Sequence, residues 1–579
     1  MTYEKDIPDY AMVPARETEE KVIVPVTGGA IYSPVQVTDM TEDRSVLITL
    51  EEDILVPDTK PDLREILLID GRPYLSFRET DQIAAGDDYI NISGELLIQT
   101  LYLPEKPAGG CPLTSVSTKL PFREQWRTEL IPGACLTAEC RLEKIEHMVV
   151  NERKFRIKAS VRVTARQYKD LKADVFEGII DEDLQMLKEE AEISSIALRK
   201  KDSLSVKEDI FPKDDIRPGA ILKQDLYAVE NYRQAAGDKV VINGSVYVSL
   251  LYSGADENYV SSAVADGEDG DLSDSENSAA AEDQDPSRNI CQLTDRIEFT
   301  QFIPLPQAGN FSGVDVFFDD SRLSVKPAQN EDGKDVFRVE GELLTYADLY
   351  RNSTREFITD CYHREKDFVC SFDETKCKTL AGISTGESSV REIISVDGEK
   401  DAGHILYTSA DISCVESAAE QGKLISEGSI SVNMICASSG QESSSRRLFV
   451  QKGSVPFRVV TAAPQLKGTE IIRQKAFLKD VWAEKINSKQ LEFNATVLIC
   501  AQIFRPVSLK ILKNPAFETG SGASSCPSMA IYICRKGDSL WDIAKRFKTT
   551  AESIRVINDL GDDISGESLR EGLKLLIVK

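Results

Sequence analysis

Apolar and polar residues alternate over long stretches of this chain, and the alternation sets the expected fold class. Phe155 to Ala165 alternates strictly, as a half-buried antiparallel strand does. Val46 to Leu50, Pro121 to Glu124 and Cys135 to Leu142 read as strands. Tyr89 to Tyr102 reads as a strand pair, or one bent strand broken at Gly94. Glu52 to Gly71 departs from this period and reads as a strand end, a turn and a short helix. Pro57 and Pro61 deny a ladder two donors, and Asp58 and Asp62 suit a turn and a helix start. Ile66 and Leu67 would then face a core, with Asp70 and Gly71 ending the element.

Pieces of this pattern return. Glu208 to Pro212 echoes Glu52 to Pro57, Arg217 to Leu222 echoes the helix, and Arg391 to Gly398 matches Arg64 to Gly71 almost residue for residue. Gly94 to Tyr102 has counterparts in Gly244 to Tyr252 and Gly428 to Cys436. Phe155 to Ala165 has counterparts in Phe337 to Leu344 and Leu491 to Cys500. The third copy diverges most, with Leu380 to Thr385 standing where the prolines were. The spacing far exceeds solenoid periods. The expectation is a mainly β protein with short helices, built as three tandem β-rich repeat domains plus a small strand–helix–helix–strand module.

The boundaries read as a lead-in over 1–36, with an added strand around Val22 to Val26, then repeats over 37–180, 203–375 and 376–514. Residues 181–202 start acidic and end basic, which suits a helix dipole, and read as a connecting helix. Residues 253–288 replace the Pro/Gly-rich gap of the first repeat with a clustered acidic stretch, expected to be a disordered loop. Residues 515–529 read as a flexible linker before the module at 530–579.

Charge and cysteine content narrow the function. The net charge of −27 argues against nucleic-acid binding, which needs a basic footprint. No apolar run approaches the roughly 20 residues that span a bilayer. Met1 to Arg16 is polar and carries no signal-peptide core, so a cytoplasmic chain is expected. The twelve cysteines are scattered without a CxxC, and read as buried reduced thiols such as Cys135, Cys140, Cys291, Cys414 and Cys500. There is no P-loop sequence, and Gly382 to Gly386 lacks the lysine. His147, His363 and His404 are widely separated and read as surface or satisfied histidines. Asp58 and Asp62 read as turn and cap residues rather than a catalytic pair. No enzyme activity, metal or cofactor is expected.

The C-terminal module carries the most specific signal. Gly537 permits a turn, Asp538 or Ser539 can cap a helix over Leu540 to Phe547, and Thr550 can cap a second helix ending near Ile557. Trp541, Ala544 and Phe547 recur at helical spacing and should face a core, and Leu573 to Val578 is a closing strand. The runs Lys536 to Ala544, Ile557 to Leu560 and Leu569 to Leu575 resemble the LysM domain. That resemblance implies recognition of N-acetylglucosamine-containing glycans such as peptidoglycan and chitin. The implied groove lies between Gly537, Asp538, Ser539 and Leu540 on one side and Ile557, Asn558, Asp559 and Leu560 on the other. Gly561 to Ser568 is longer and more acidic than the family pattern, and Arg570 is bulkier.

Leu55 to Leu67, Asp70-Gly71 and Gly94 to Tyr102 resemble the SPOCS domain of endospore-forming Firmicutes. Three such copies before a LysM resemble clostridial spore-envelope morphogenesis proteins. What this implies is a mother-cell protein at the forespore surface, helping to tether the coat through a SpoIVA-like spore-coat ATPase. A glycan-binding cell-wall protein and a LysM-targeted wall hydrolase are the competing expectations.

Overall fold

The computed structural model describes residues 22–26, 29–41, 43–77, 79–80, 88–106, 111–212, 217–254, 290–305, 310–398, 400–438, 448–519, 528–561 and 569–579. The acidic stretch after Gly254 lies outside them. The chain opens with β1 (Val22–Pro25). The first repeat holds β2 (Ala30–Met40), β3 (Arg44–Leu55), β4 (Leu63–Leu75), β5 (Glu79–Thr80), β6 (Tyr89–Pro104), β7 (Thr114–Arg127), β8 (Cys135–Asn151) and β9 (Lys154–Ile179). The second holds β10 (Leu184–Ile210), β11 (Pro218–Ala236), β12 (Lys239–Gly254), β13 (Ile290–Pro304), β14 (Gly313–Asp319), β15 (Ser324–Gln329) and β16 (Asp335–His363). The third holds β17 (Asp367–Ser395), β18 (Ala402–Glu420), β19 (Lys423–Ser438), β20 (Leu448–Ala462), β21 (Ile471–Asn487) and β22 (Gln490–Thr519). The terminal module is β23 (Met529–Ile533), α1 (Leu540–Phe547), α2 (Ala551–Ile557) and β24 (Lys574–Val578). Among the described residues the fold is mainly β, with two short helices near the C-terminus.

Each repeat follows one plan. A three-stranded meander (β4-β6-β7, β11-β12-β13, β18-β19-β20) packs on a sheet laid along a long strand (β9, β16 or β22). The middle strand of each meander carries a glycine directly opposite a phenylalanine: Gly94 and Phe122, Gly244 and Phe299, Gly428 and Phe457. A Cβ at these glycines would come within 2.5, 2.4 and 2.7 Å of the phenyl ring. The ring covers the bare backbone, so only glycine fits. Near the start of each long strand, Phe155, Phe337 and Leu491 stand opposite Ile54, Ile210 and Ile394.

The helix expected after Pro61 is instead the strand β4, paired with β6. Register shifts between Leu63 and Glu65 and between Ile66 and Leu68 are β-bulges. They put Leu63 and Ile66 into one core at helical spacing, and turn Leu68 into the core between the meanders on the other face. β11 and β18 carry bulges at the corresponding places. The connecting helix expected over 181–202 is also a strand, β10, paired along its length with β16. Its charge gradient has cross-strand causes rather than a dipole: Lys188 meets Glu356 at 3.2 Å, and Arg199 meets Asp348 at 3.5 Å while lying over the Tyr168 ring. Arg391 to Ser395 lies at the end of β17 and corresponds to the end of β3, not to the β4 residues that it matches in sequence.

The expected boundaries at 36/37, 202/203, 375/376 and 514/515 fall inside β2, β10, β17 and β22. Long strands run through them because the repeats share cores. Met40, Ile196 and Leu380 stand opposite Tyr168, Tyr350 and Phe504, and all six form one cluster, two residues from each repeat. Val37, Ile193 and Cys377 do the same in a second cluster. The meanders meet likewise: Leu101, Leu251 and Ile435 share a third cluster. The three repeats thus surround a pseudo-threefold axis.

The symmetry breaks at Leu68, Lys223 and Tyr407, which occupy one register position after the bulge. Lys223 is 2% exposed and donates to Asp70 at 2.9 Å and Asp225 at 2.7 Å. Tyr407 donates its hydroxyl to the same Asp225. These neighbours hold the Lys223 ammonium well above its ordinary range against the opposing effect of burial, and hold Asp225 below its own. Beside this network a cleft of about 880 Å³ receives side chains from all three repeats, including Arg72, Tyr247 and Asp411.

Candidate functional site

The module builds its turns from the residues expected to line a groove. Ser539 caps α1: its Oγ accepts from the Asp542 amide at 3.1 Å and donates to the Asp542 carboxylate at 2.6 Å. Asp538 Oδ2 accepts from the Arg535 amide and the Tyr532 hydroxyl, both at 2.8 Å. Those donors hold its carboxyl below the ordinary range. Asn558 joins α2 to the sheet: its amide donates to the Ile554 and Leu576 carbonyls at 2.7 and 2.8 Å, and its Oδ1 accepts from the Leu576 amide at 2.7 Å. Gly537 and Asp559 take left-handed backbone, at φ 90 and 49.

Leu540 is buried in the module core, and Leu560 packs on the same core, so the two segments adjoin one hydrophobic nucleus. Three of the eight residues, Asp538, Ser539 and Asn558, are engaged in holding their turns. Gly537, Asp559 and Ile557 are the ones that face outward. Residues 562–568, between Gly561 and Leu569, lie outside the described residues.

The opposite face of the module's sheet is apolar and open. Met529, Ile531 and Ile533 alternate along β23 and are 63%, 72% and 56% exposed. Across the strand pair they face Val578, Leu576 and Lys574. The alternation of these residues is visible in the sequence, but not which of the two faces α1 and α2 leave uncovered.

The module does not hang free. Trp541 packs edge-on against Tyr362 of β16 with ring centroids 5.0 Å apart, and its Nε1 donates to Asp360 at 2.7 Å. Lys545 donates to both oxygens of Asp360 at 2.6 and 2.8 Å, and Lys548 to Asp367 at 2.7 Å. The Tyr362 hydroxyl donates to the Thr549 carbonyl at 2.6 Å. Helical phase places Trp541 against the module core as expected, but its outer edge belongs to the junction. None of these docking residues is among the eight of the expected groove.

His363 stands beside this dock, 2% exposed. Its Nε2 lies 3.1 Å from Asp181, while Nδ1 accepts from the amides of Glu365 and Lys366, each at 3.0 Å. Both ring nitrogens are therefore engaged in holding the turn, which agrees with a satisfied histidine. In contrast to the buried thiols expected, Cys414 is exposed and Cys135, Cys140, Cys291 and Cys500 are half-buried. Among the described residues, no cluster of His, Cys, Asp and Glu could hold a metal ion.

No helix in the described residues is long and apolar enough to cross a membrane. No curated protein and no solved structure matches the chain. Residues 532–578 match the LysM domain family, which associates a protein with N-acetylglucosamine-containing glycan such as peptidoglycan. The capped helices on a two-stranded sheet at the end of this chain are a LysM domain.

Proposed function

We propose that this chain is a non-enzymatic scaffold of the endospore envelope, tethering the coat to the forespore surface from the mother-cell cytoplasm. Its LysM domain makes the contact, with a SpoIVA-like spore-coat ATPase as partner. The resemblance of the repeats to SPOCS domains supports the setting. The observation that carries contact with a protein is the open apolar face of Met529, Ile531 and Ile533. A surface of that kind is matched by another apolar surface rather than by a sugar alone. The second reading is a peptidoglycan-binding cell-wall protein, favoured by the LysM match itself. In that reading Gly537, Asp559 and Ile557 are the exposed part of the groove.

Titrating the full chain against the purified ATPase and against N-acetylglucosamine oligomers tests the choice. Binding to the ATPase that Ile531→Glu abolishes is the expected result. Binding to the oligomers alone, unchanged in Ile531→Glu, would overturn the protein-contact reading and establish the second. Soluble fragments released from peptidoglycan by the purified chain would refute the non-enzymatic assignment.

A further inference from the structure

Two thiols that sequence reading left single are brought together at the dock. The sulfurs of Cys361 and Cys370 are 3.5 Å apart. Cys361 lies near the end of β16 and is 4% exposed, while Cys370 lies near the start of β17 and is half-buried. They flank the turn that passes from the second repeat to the third. Asp360, Tyr362 and Asp367, which receive the LysM domain, all lie on this turn or beside it. We infer that Cys361 and Cys370 are a reversible disulfide pair, closing the turn on which the LysM domain is docked.

The two sulfurs are unequal in the way such a reaction needs. Contact with Cys361 holds Cys370 below the ordinary thiol range, against burial and the nearby Asp360, and Lys545 acts in the same direction. Cys361 is held above the range by the same contact and by burial. Cys370 is thus the better thiolate and the more accessible one. The oxidant is hydrogen peroxide. The Cys370 thiolate attacks one peroxide oxygen, the O–O bond breaks, and the leaving oxygen departs as water after protonation, leaving a sulfenic acid. The Cys361 sulfur then attacks the sulfenic sulfur, loses its proton and expels a second water. Two thiols and one peroxide become one disulfide and two waters. Bonding requires the sulfurs to close from 3.5 Å to about 2.05 Å, a side-chain movement. A small thiol reverses the step.

The full-length chain, reduced and then exposed to stoichiometric hydrogen peroxide, tests the inference by alkylation and peptide mapping. Trypsin cuts after Arg364 and Lys366, so the linked product appears as two peptides joined by one disulfide. The expected result is that linked pair, lost on treatment with dithiothreitol. Its absence overturns the inference: both thiols alkylated, Cys370 carried to the sulfinic acid beside an alkylated Cys361, or bonds from either one to another cysteine. Cys361→Ser gives an independent check. Cys370 should then accumulate as sulfenic and sulfinic acid, whereas Cys370 alkylated as a free thiol after peroxide in both proteins would show that it is not the thiol that peroxide oxidises.

Discussion

Asp360 is the residue on which the position of the LysM domain turns. It accepts from the Trp541 indole at 2.7 Å and binds Lys545 with both oxygens. Its side chain is 27% exposed, so the carboxylate is largely withdrawn from water, while Lys545 is 44% exposed. A hydrogen bond to a charged acceptor contributes about 1.5–3 kcal/mol. The half-exposed ion pair adds about 0.2–1 kcal/mol after screening. Asp360→Ala should therefore weaken docking by about 2–4 kcal/mol, a shift of roughly 30- to 700-fold in the docked-to-free ratio at about 1.4 kcal/mol per tenfold. The edge-on Tyr362 contact and the Lys548–Asp367 pair would remain. The assay is methyl NMR of Ile531, Ile543 and Ile554 in the full chain. A docked module tumbles with the whole body and gives broad lines; a freed one narrows. Narrowing should appear in Asp360→Ala and be weaker in Asp360→Asn, which keeps an acceptor for the indole. Unchanged widths in both variants would refute the assignment of Asp360 as the anchor.

Lys223→Met leaves Asp70 and Asp225 without their cation and should cost about 3–5 kcal/mol, read as a lower denaturant midpoint. Lys223 is raised and Asp225 lowered in the folded state, so the pair stabilises fully between the unfolded values of about 3.9 and 10.4. It is lost as pH falls through the depressed Asp225 value or rises through the elevated Lys223 value. Asp411 is open to the cleft it lines, and reduced solvation within that cleft, with the like charges of Asp70 and Asp225 adding to the effect, pushes its carboxyl up to about 6. A raised carboxyl lowers stability as pH climbs above its unfolded value, so Asp411→Asn should raise Tm at pH 7 and not at pH 3.5. Gly244→Ala sets a Cβ 2.4 Å from the Phe299 ring and 2.9 Å from the Val229 carbonyl, and should cost about 1–3 kcal/mol in the same denaturation.

The strands were legible wherever one face is buried and the ladder is regular. Phe155 to Ala165 alternates because alternate residues sit on the core face, and the three glycine–phenylalanine pairs carry the repeat through otherwise different sequence. β4 was misread because its bulges put Leu63 and Ile66 on one side at helical spacing. β10 was misread because its charges answer to β16, whose partners lie far along the chain. Local composition cannot distinguish such pairing from a helix dipole. In the LysM domain the capping residues and core were legible, since Ser539, Thr550 and Leu540 act on near neighbours. The dock was not, because Asp360 and Tyr362 belong to a repeat and show no motif of their own. The Lys223 network was hidden for a related reason: a lysine on an alternating strand gives no sign that its neighbours across the axis are Asp70 and Tyr407.

β1 pairs with the far end of β22: Val22 stands opposite Thr519 and Pro25 opposite Ala516. The first described strand therefore completes the sheet of the last repeat. During synthesis this contact is unavailable until nearly the whole body has left the ribosome, so it must be a late event in folding. Before it forms, the end of β22 has an unpaired edge, open to the same segment of another chain. Long-range closure of this kind slows assembly. A nascent or N-terminally clipped chain is thus the form most exposed to swapped pairing between molecules, and intramolecular return of β1 is what ends that exposure.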